Sequence, residues 1–347
     1  MKKRMRYIVL GAVCMGMVVT AVSCSGNNDE QSSTSTPGMT NQTEGTQTAE
    51  NLEFDTVVLK VGEEEVTYRE LLVYLLQIKN KYEPSLGTDI WSYQVETDKT
   101  FEDMAKEELL SELTEIKIIT QQATELDIQL EADELEEVKA NVKSYLDKVT
   151  LEDQEKYGLT EEVVTKVLSD NYLAEKVFAI TTNEVNTNIS DEDAKQIKVE
   201  QIMVMTEGVD KNGNVIDMDD TQKANAEVRA NQLHEAALTA EDFNAFASSN
   251  TDAAYVDFTF GKGQMPELES VAFALQEGEI SSVIPTSTGY VILKLVSGYD
   301  EDATRLRKEQ IIEEEQNEVF ASKYEVWSAE YKVTQDVAKW EKISFGF

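Results

Sequence analysis

The sequence has little histidine and little cysteine. His234 is its one histidine and lies in a polar helical pattern, while Cys14 and Cys24 are its two cysteines. A structural zinc site takes four nitrogen, sulfur or oxygen ligands, and the usual hydrolytic triads place a histidine beside a nucleophile. We therefore expect no metal ion, no cofactor and no hydrolytic centre. A phosphate-binding loop of the Walker type is also missing, which argues against a chaperone driven by ATP.

Basic residues are scarce relative to acidic ones. The 347 residues include 31 Lys and Arg against 67 Asp and Glu, for a net charge of −36. Such a surface repels the phosphate backbone of nucleic acids, and no basic stripe in the sequence offsets that repulsion. We therefore expect no nucleic-acid partner. With 41% hydrophobic residues, the chain can bury a sizeable core, and its length predicts two folded units.

Residues 1–23 have the pattern of an export signal. Four basic residues precede the apolar stretch YIVLGAVCMGMVV, which is shorter than the roughly 20 apolar residues that span a bilayer. The letters AVS stand directly before Cys24, and this arrangement resembles the lipobox of bacterial lipoproteins. The resemblance implies cleavage before Cys24 and a diacylglycerol on its sulfur, which anchors the protein to the extracytoplasmic face of the cell membrane. The alternative is an ordinary secretory peptide cleaved near Ser23.

The segment that follows, residues 24–53, consists almost entirely of small polar and acidic residues. Such a composition buries too little apolar surface to fold, so we predict a disordered tether. A flexible coil of this length reaches roughly 30 Å root-mean-square. With Cys14 removed and Cys24 acylated, no disulfide remains possible.

Residues 54–195 begin with the alternating strand pattern TVVLKVGEEEV and continue as amphipathic helices. Thr67 and Glu70 predict a capping box at the first helix, in which the glutamate side chain reaches back to the cap residue. Leucines at helical spacing follow, at positions 71, 72, 75 and 76. From residue 66 to residue 180 the pattern predicts helices only.

Residues 196–299 alternate strands with helices in the order β-α-α-β-α-β. KVEQIMVMT predicts a strand with both faces partly apolar, and Asn212-Gly213 predicts a hairpin turn. A calcium loop starting at Asp210 is excluded because its glycine and closing glutamate are not at the required positions. Residues 300–347 return to one long helix and then a short strand-like stretch, AKWEKISF. We expect that helix to pack against the first helices, which makes the β-containing unit an insertion.

The stretch GKGQMPELESVAFALQEGEISSVIPTSTGYVILKL resembles the second half of a parvulin-type (PpiC-like) peptidyl-prolyl isomerase domain. EDFNAFASSN and KVEQIMV resemble the second helix and the first strand of the same domain. The flanking strand and helices resemble the PrsA and SurA families of extracytoplasmic foldases, and the lipobox favours a PrsA-type lipoprotein. The resemblance implies an α+β fold, in which a mostly helical chaperone domain receives an inserted parvulin-like domain.

The resemblance also implies the positions of the proline pocket. Met265, Leu268 and Phe273 are its expected substrate-binding residues, with Leu268 in place of the family's phenylalanine. Parvulins carry one histidine in the first strand and another in the last. Gln201 and Val291 occupy those positions here. The polar candidates for catalysis are Gln201, Asp252, Thr286 and Thr288.

Prolyl isomerisation rotates an amide past a barrier of about 18–20 kcal/mol and breaks no covalent bond. A dry pocket and a hydrogen-bond donor to the twisted amide lower that barrier. Gln201 still offers a donor, but Val291 offers none. We therefore predict a membrane-anchored foldase or chaperone for unfolded exported polypeptides, with weak or lost isomerase activity. An active parvulin-type isomerase and a lipid-anchored surface scaffold are the alternatives, and the sequence leaves the clients and the oligomeric state open.

Overall fold

The structure, a computed structural model, describes residues 52–209 and 215–346. The expected signal peptide, Cys24, most of the expected tether and the predicted turn at Asn212-Gly213 lie outside those residues. The chain divides into two compact units. The helical unit is Met1–Asn183 with Val319–Phe347, and the sheet unit is Glu184–Glu318. Across the described ranges, none of the helices combines the length and apolar character that crossing a membrane requires.

The secondary structure is a mixture of helices and strands, in agreement with the predicted α+β class. A 3-10 turn covers Thr88–Ser92. In chain order the other elements are β1 (Val57–Val61), β2 (Glu64–Thr67), α1 (Tyr68–Leu86), β3 (Gln94–Glu96), β4 (Lys99–Thr100), α2 (Phe101–Glu125), α3 (Ala132–Leu146), α4 (Leu151–Lys156), α5 (Glu161–Thr181), α6 (Asp191–Ala194), β5 (Gln196–Met205), β6 (Glu207–Val209), β7 (Val215–Asp217), α7 (Asp220–Ala237), α8 (Phe243–Asn250), β8 (Asp257–Gly261), α9 (Pro266–Ala272), β9 (Ile284–Thr286), β10 (Gly289–Ser297), α10 (Glu301–Ser328), β11 (Val333–Gln335) and α11 (Val337–Trp340).

The helical unit packs α1, α2 and α5 together with a three-stranded antiparallel sheet of order β11-β1-β2. The apolar residues predicted at helical spacing in α1 form part of its core, and Leu71 and Leu75 are fully buried. Phe320 of α10 packs with Ile119 of α2 and Val177 of α5 in a second cluster. The last turns of α10 therefore share the interior of this unit.

Two of the predicted local structures in the helical unit are wrong. Residues 66–180 are not all helical, because α1 ends at Gly87, which has φ +77°, and the short hairpin β3–β4 follows. AKWEKISF is not a strand either. The Asp336 side chain accepts a hydrogen bond from the N–H of Lys339, 3.2 Å away, and this cap begins the helical turn α11. The strand of this region, β11, lies just before it.

The predicted capping box at α1 is only half present. Thr67 Oγ1 accepts a hydrogen bond from the N–H of Glu70 at 3.3 Å. The Glu70 carboxylate instead lies 2.5 Å from Nζ of Lys117, a lysine with no exposed surface. Asp170 Oδ2 lies 2.5 Å from the same nitrogen, and Lys166 contacts both carboxylates. Glu70 therefore joins a buried charge network, since buried charges need partners.

Helix α2 also carries two half-buried carboxyl groups, those of Glu112 and Glu115. Burial, together with a smaller contribution from the charge of Glu108 and against the opposite effect of Lys81, raises the pKa of Glu112 to about 7. Burial likewise raises the pKa of Glu115 to about 7, with smaller contributions from Glu112 and Glu108. These groups therefore titrate close to neutral pH.

The sheet unit contains a four-stranded antiparallel sheet of order β8-β5-β10-β9. Helices α7 and α8 cover the face that carries Ile202 and Ile292, and α9 covers the other face. Gly289 begins β10 with φ +152°, and a Cβ placed there would lie 2.1 Å from the carbonyl oxygen of Val204. Glycine is therefore required where β10 meets β5. Beyond β5, the strands β6 and β7 pair antiparallel on either side of the undescribed turn.

Candidate functional site

The expected pocket residues lie at the two ends and in the middle of α9. Met265 precedes the helix, Leu268 lies in its first turn and Phe273 caps its end. Pro266 starts the helix, a position where its fixed φ fits and its missing N–H costs nothing. Leu268 is buried, whereas Met265 and Phe273 are half-buried. All three belong to one apolar cluster with strands β5, β8 and β10, so the structure brings the predicted pocket residues together.

The floor of that cluster is formed by two opposed residues of the central strands. Val291 of β10 lies directly opposite Met203 of β5. Val291 is 3% exposed and Met203 is 8% exposed, and both pack with Leu268. Val291, which the sequence pattern led us to expect in place of a histidine, is therefore a buried, apolar part of the floor.

Aromatic rings extend one wall of the pocket along β8. Phe273 meets Phe260 edge to face at 6.0 Å between ring centroids, and Phe260 stacks on Phe258 at 5.6 Å. Tyr255 in turn meets Phe258 edge to face at 5.9 Å and is mostly exposed. Such ring pairs add favourable contact beyond the area they bury. Phe260 is 1% exposed, so the accessible rings of this row are Phe258, Phe273 and Tyr255.

Gln201 is the residue that the sequence pattern led us to expect at the family's first histidine position. It is buried beside the floor, where Leu293 lies opposite it in β10. Its side-chain Nε2 donates a hydrogen bond to the carbonyl oxygen of Tyr255 at 3.2 Å. One of its two N–H groups is thus bound to the main chain, which fixes the amide in place.

Asp252 is engaged in holding the frame together. Its two carboxylate oxygens accept hydrogen bonds from Arg229 Nη1 at 2.9 and 2.8 Å, and Oδ2 also accepts one from the N–H of Met205 at 3.0 Å. Arg229 donates further to the carbonyl oxygen of Asn250 at 2.8 Å. The pair therefore fastens α7 to the end of β5. Sequence reasoning missed Arg229 because it lies 23 residues away, on a helix without a distinctive motif.

The two threonine candidates shape the turn between β9 and β10. Thr286 Oγ1 donates a hydrogen bond to the carbonyl oxygen of Gly289 at 3.0 Å. The exposed Thr288 accepts one from the N–H of Thr206 through its own carbonyl oxygen at 3.0 Å. Glu267 of α9, which the sequence did not single out, accepts hydrogen bonds from the N–H of Ser287 at 2.7 Å and from its hydroxyl at 3.2 Å. That glutamate ties the turn to the pocket helix.

The site as a whole is an apolar cluster with fixed polar groups at its edge. Over residues 52–209 and 215–346, no group of three or more His, Cys, Asp or Glu side chains is placed to hold a metal ion. Met265 and Phe273 are half-buried and leave part of their apolar surface available to a bound side chain. The Gln201 side chain is the main hydrogen-bonding group that the site offers to a bound amide.

The sequence is similar to known proteins of the rotamase and PrsA groups. Residues 202–297 match the rotamase family model described as the PPIC-type PPIASE domain. The chain is 27% identical over 284 residues to the foldase protein PrsA of Caldanaerobacter subterraneus subsp. tengcongensis, spanning 78% of this chain and 83% of that protein. It is 24% identical over 307 residues to PrsA of Clostridium tetani, spanning 82% and 87%. The solved structure of PrsA from Lactococcus lactis shares 16% identity over 82% of this chain and 96% of that one, at a TM-score of 0.34.

These matches confirm the resemblance that the residues around Met265 and Gly289 indicated. The matched residues 202–297 include the strands that form the floor, the helix that carries the pocket residues and the turn between β9 and β10. The relatives extend the similarity beyond that domain into the helical unit. The chain therefore carries a PPIC-type rotamase domain at residues 202–297 and is similar to the PrsA foldases over most of its length.

Proposed function

We propose that this protein is an extracytoplasmic folding factor that binds unfolded exported polypeptides and has weak or no isomerase activity. A lipid on Cys24 anchors it to the membrane, and binding alone supplies its free energy. Its relatives are named foldases, which supports a role in folding. The lipobox-like residues before Cys24 support the anchor and the extracytoplasmic location.

The proposed domains follow the same reading. Residues 1–23 are the lipoprotein signal peptide and residues 24–53 the tether. The chaperone domain consists of residues 54–195 and 300–347, and the parvulin-like domain is inserted between them at 196–299. This division assigns the whole of α10 to the chaperone domain, although its residues up to Glu318 lie within the compact sheet unit.

The observation that carries the proposal is the buried pair of Val291 and Met203 on the pocket floor. A valine cannot donate or accept a hydrogen bond, so it cannot stabilise the twisted amide. Gln201 is left as the one polar side chain of the floor region, and its amide is already bound to Tyr255. The walls needed for binding are kept, whereas the polar groups that favour rotation are reduced.

A second candidate is an active isomerase, which the apolar cluster of Met265, Leu268 and Phe273 favours. Because rotation breaks no bond, a dry pocket that disfavours the planar amide can accelerate it to some extent. In this case the remaining N–H of Gln201 would supply the donor.

Exchange spectroscopy by NMR on a short Xaa-Pro peptide separates the two. The full chain is compared with a Gln201→His, Val291→His double variant and with a Met265→Ala variant that opens the wall. We expect no acceleration by the wild-type chain and a gain in the double variant. Clear acceleration by the wild-type chain that is lost in Met265→Ala would instead establish an enzyme. Circular dichroism checks that each variant folds.

A further inference from the structure

A short segment of the helical unit, Ile343–Gly346, lies in a groove formed by α1, the 3-10 turn and α2. It belongs to no helix or strand. Ile343 is 1% exposed and Phe345 is 0% exposed, whereas Ser344 between them is exposed. Alternate side chains therefore enter the groove and the intervening one faces solvent, as in an extended peptide bound to a surface.

Aromatic side chains form the groove around Phe345. The ring of Phe345 stacks on Trp91 with 4.1 Å between centroids and an interplanar angle of 11°. Phe101 lies 5.6 Å from Trp91, and Tyr82 meets Phe101 edge to face at 5.3 Å. The groove thus has a specific place for one flat aromatic ring.

Charged side chains hold the main chain of the segment. Lys106 Nζ donates a hydrogen bond to the carbonyl oxygen of Ile343, and Lys79 Nζ donates one to that of Phe345, each at 2.6 Å. Glu102 Oε2 accepts hydrogen bonds from the hydroxyl of Ser344 at 3.1 Å and from the N–H of Phe345 at 3.4 Å. Three long side chains from α1 and α2 thereby bind main-chain groups, which every polypeptide carries.

A site with these contacts recognises a spacing of apolar and aromatic side chains rather than one particular sequence. Hydrogen bonds to main-chain groups are independent of side-chain identity, and the groove fixes only an apolar residue and, two positions later, an aromatic one. Unfolded polypeptides offer such pairs wherever a strand-forming stretch is exposed. A segment of the same chain competes at a high effective concentration because it is tethered beside the groove.

We propose that this groove binds apolar-x-aromatic segments of unfolded polypeptides and that Ile343–Phe345 occupies it as a built-in competitor. The inference rests on the proposed function as a binder of unfolded chains. Displacement of the segment opens the face of Trp91 to the incoming aromatic ring. The groove is then a second binding surface, within the helical unit and separate from the Met265 pocket.

The test uses the full chain and the fluorescently labelled peptide EKISFG, which repeats residues 341–346. Anisotropy should show that a Phe345→Ala variant binds this peptide at least about tenfold more tightly than the wild-type chain, because the competitor is weakened. The peptide EKISAG should bind neither. Val337→Ala, which removes an exposed apolar side chain of α11, is the matched control and should behave as the wild-type chain does.

A second measurement does not depend on the stability of the variant. Hydrogen exchange of the N–H of Phe345 in the wild-type chain should speed up when EKISFG is added in excess, since the peptide displaces the segment. Suppression of the aggregation of reduced lysozyme by the wild-type chain tests the proposed function separately. The inference is overturned if the wild-type chain suppresses aggregation but the groove results are negative. Those negative results are a folded Phe345→Ala variant with no gain in peptide affinity and an exchange rate at Phe345 that EKISFG does not change. The groove would then be ordinary core packing.

Discussion

Glu70 and Lys117 form a buried ion pair, with 2.5 Å between Oε1 and Nζ. The pair joins α1 to α2, and Asp170 extends it to α5. It lies in the middle of the helical unit, so the interior of that unit depends on charge neutrality as well as on apolar packing. Removing one member of such a network leaves a buried charge without its partner.

The first prediction concerns this network. Lys117→Met keeps the approximate size of the side chain but removes the buried cation that Glu70 and Asp170 share. The partly exposed Lys166 still contacts both carboxylates but does not replace a fully buried partner, so we expect a loss of about 3–5 kcal/mol in the free energy of unfolding. Urea titration followed by circular dichroism measures it. Lys139→Met, which breaks the exposed pair with Glu136, should cost less than about 1 kcal/mol. Equal effects of the two variants would contradict the structural role given to Lys117.

The second prediction concerns the start of β10. Gly289→Ala places a Cβ 2.1 Å from the carbonyl oxygen of Val204, so the strands must separate there. Gly263 also has a positive φ, but a Cβ at that position has nothing within 4 Å. We therefore expect Gly263→Ala to cost about 1–2 kcal/mol from backbone strain alone and Gly289→Ala to cost clearly more. Thermal unfolding of both variants measures these losses of stability. A smaller loss of stability for Gly289→Ala than for Gly263→Ala would contradict the close contact between Gly289 and Val204.

The third prediction concerns the structural role of Asp252. Because Arg229 and the N–H of Met205 occupy its oxygens, Asp252→Asn and Arg229→Ala should each lower stability by about 1 kcal/mol, in keeping with a partly exposed pair. Their effects should not add in the double variant, because both remove the same contact. Additive losses, measured by urea unfolding of the two single variants and the double variant, would show that the pair is not coupled.

The sequence predicts secondary structure correctly where the pattern depends on residues that are close together in the chain. The alternation of residues around Gln201 predicts β5, and the motif around Met265 predicts the helix that carries the pocket. Both depend on neighbours a few residues apart. The α+β class and the parvulin resemblance follow from those elements and are confirmed.

Long-range contacts account for what the sequence did not predict. The Glu70 side chain pairs with Lys117 instead of completing the cap of α1, because a buried lysine needs a carboxylate partner. The sequence around Glu70 does not indicate that partner, which lies 47 positions away. The stretch AKWEKISF alternates like a strand, but Asp336 caps a helical turn and the groove at Trp91 accepts the following residues. The periodicity of apolar residues in a sequence predicts which side chains are buried, but it does not predict the surface against which they pack.

The fourth prediction concerns pH. The folded-state pKa values of Glu112 and Glu115 are raised to about 7, above the ordinary value of a glutamate in an unfolded chain. Between about pH 4.5 and pH 7 the folded state therefore holds more protons than the unfolded state, so stability falls as the pH rises. We expect a loss on the order of 2 kcal/mol for each group.

Urea unfolding at pH 5 and pH 8 measures this dependence. A Glu112→Gln, Glu115→Gln variant should lose much of it, because an amide stays neutral at both pH values. Glu155→Gln, which changes an exposed glutamate, serves as the control and should keep the wild-type dependence. A double variant as sensitive to pH as the wild-type chain would show that other carboxyl groups are responsible.

The last prediction concerns client charge and rests on the proposed function. At a net charge of −36, the protein surface attracts basic segments of an unfolded chain, and this attraction acts over about 10 Å at 0.1 M salt but only about 3 Å at 1 M. A basic unfolded peptide should therefore bind more tightly at low salt. A peptide of the same apolar pattern in which glutamines replace its lysines should respond far less. Anisotropy titrations of both peptides from 0.05 to about 1 M salt measure the difference, and identical salt responses would assign binding to the apolar surfaces alone.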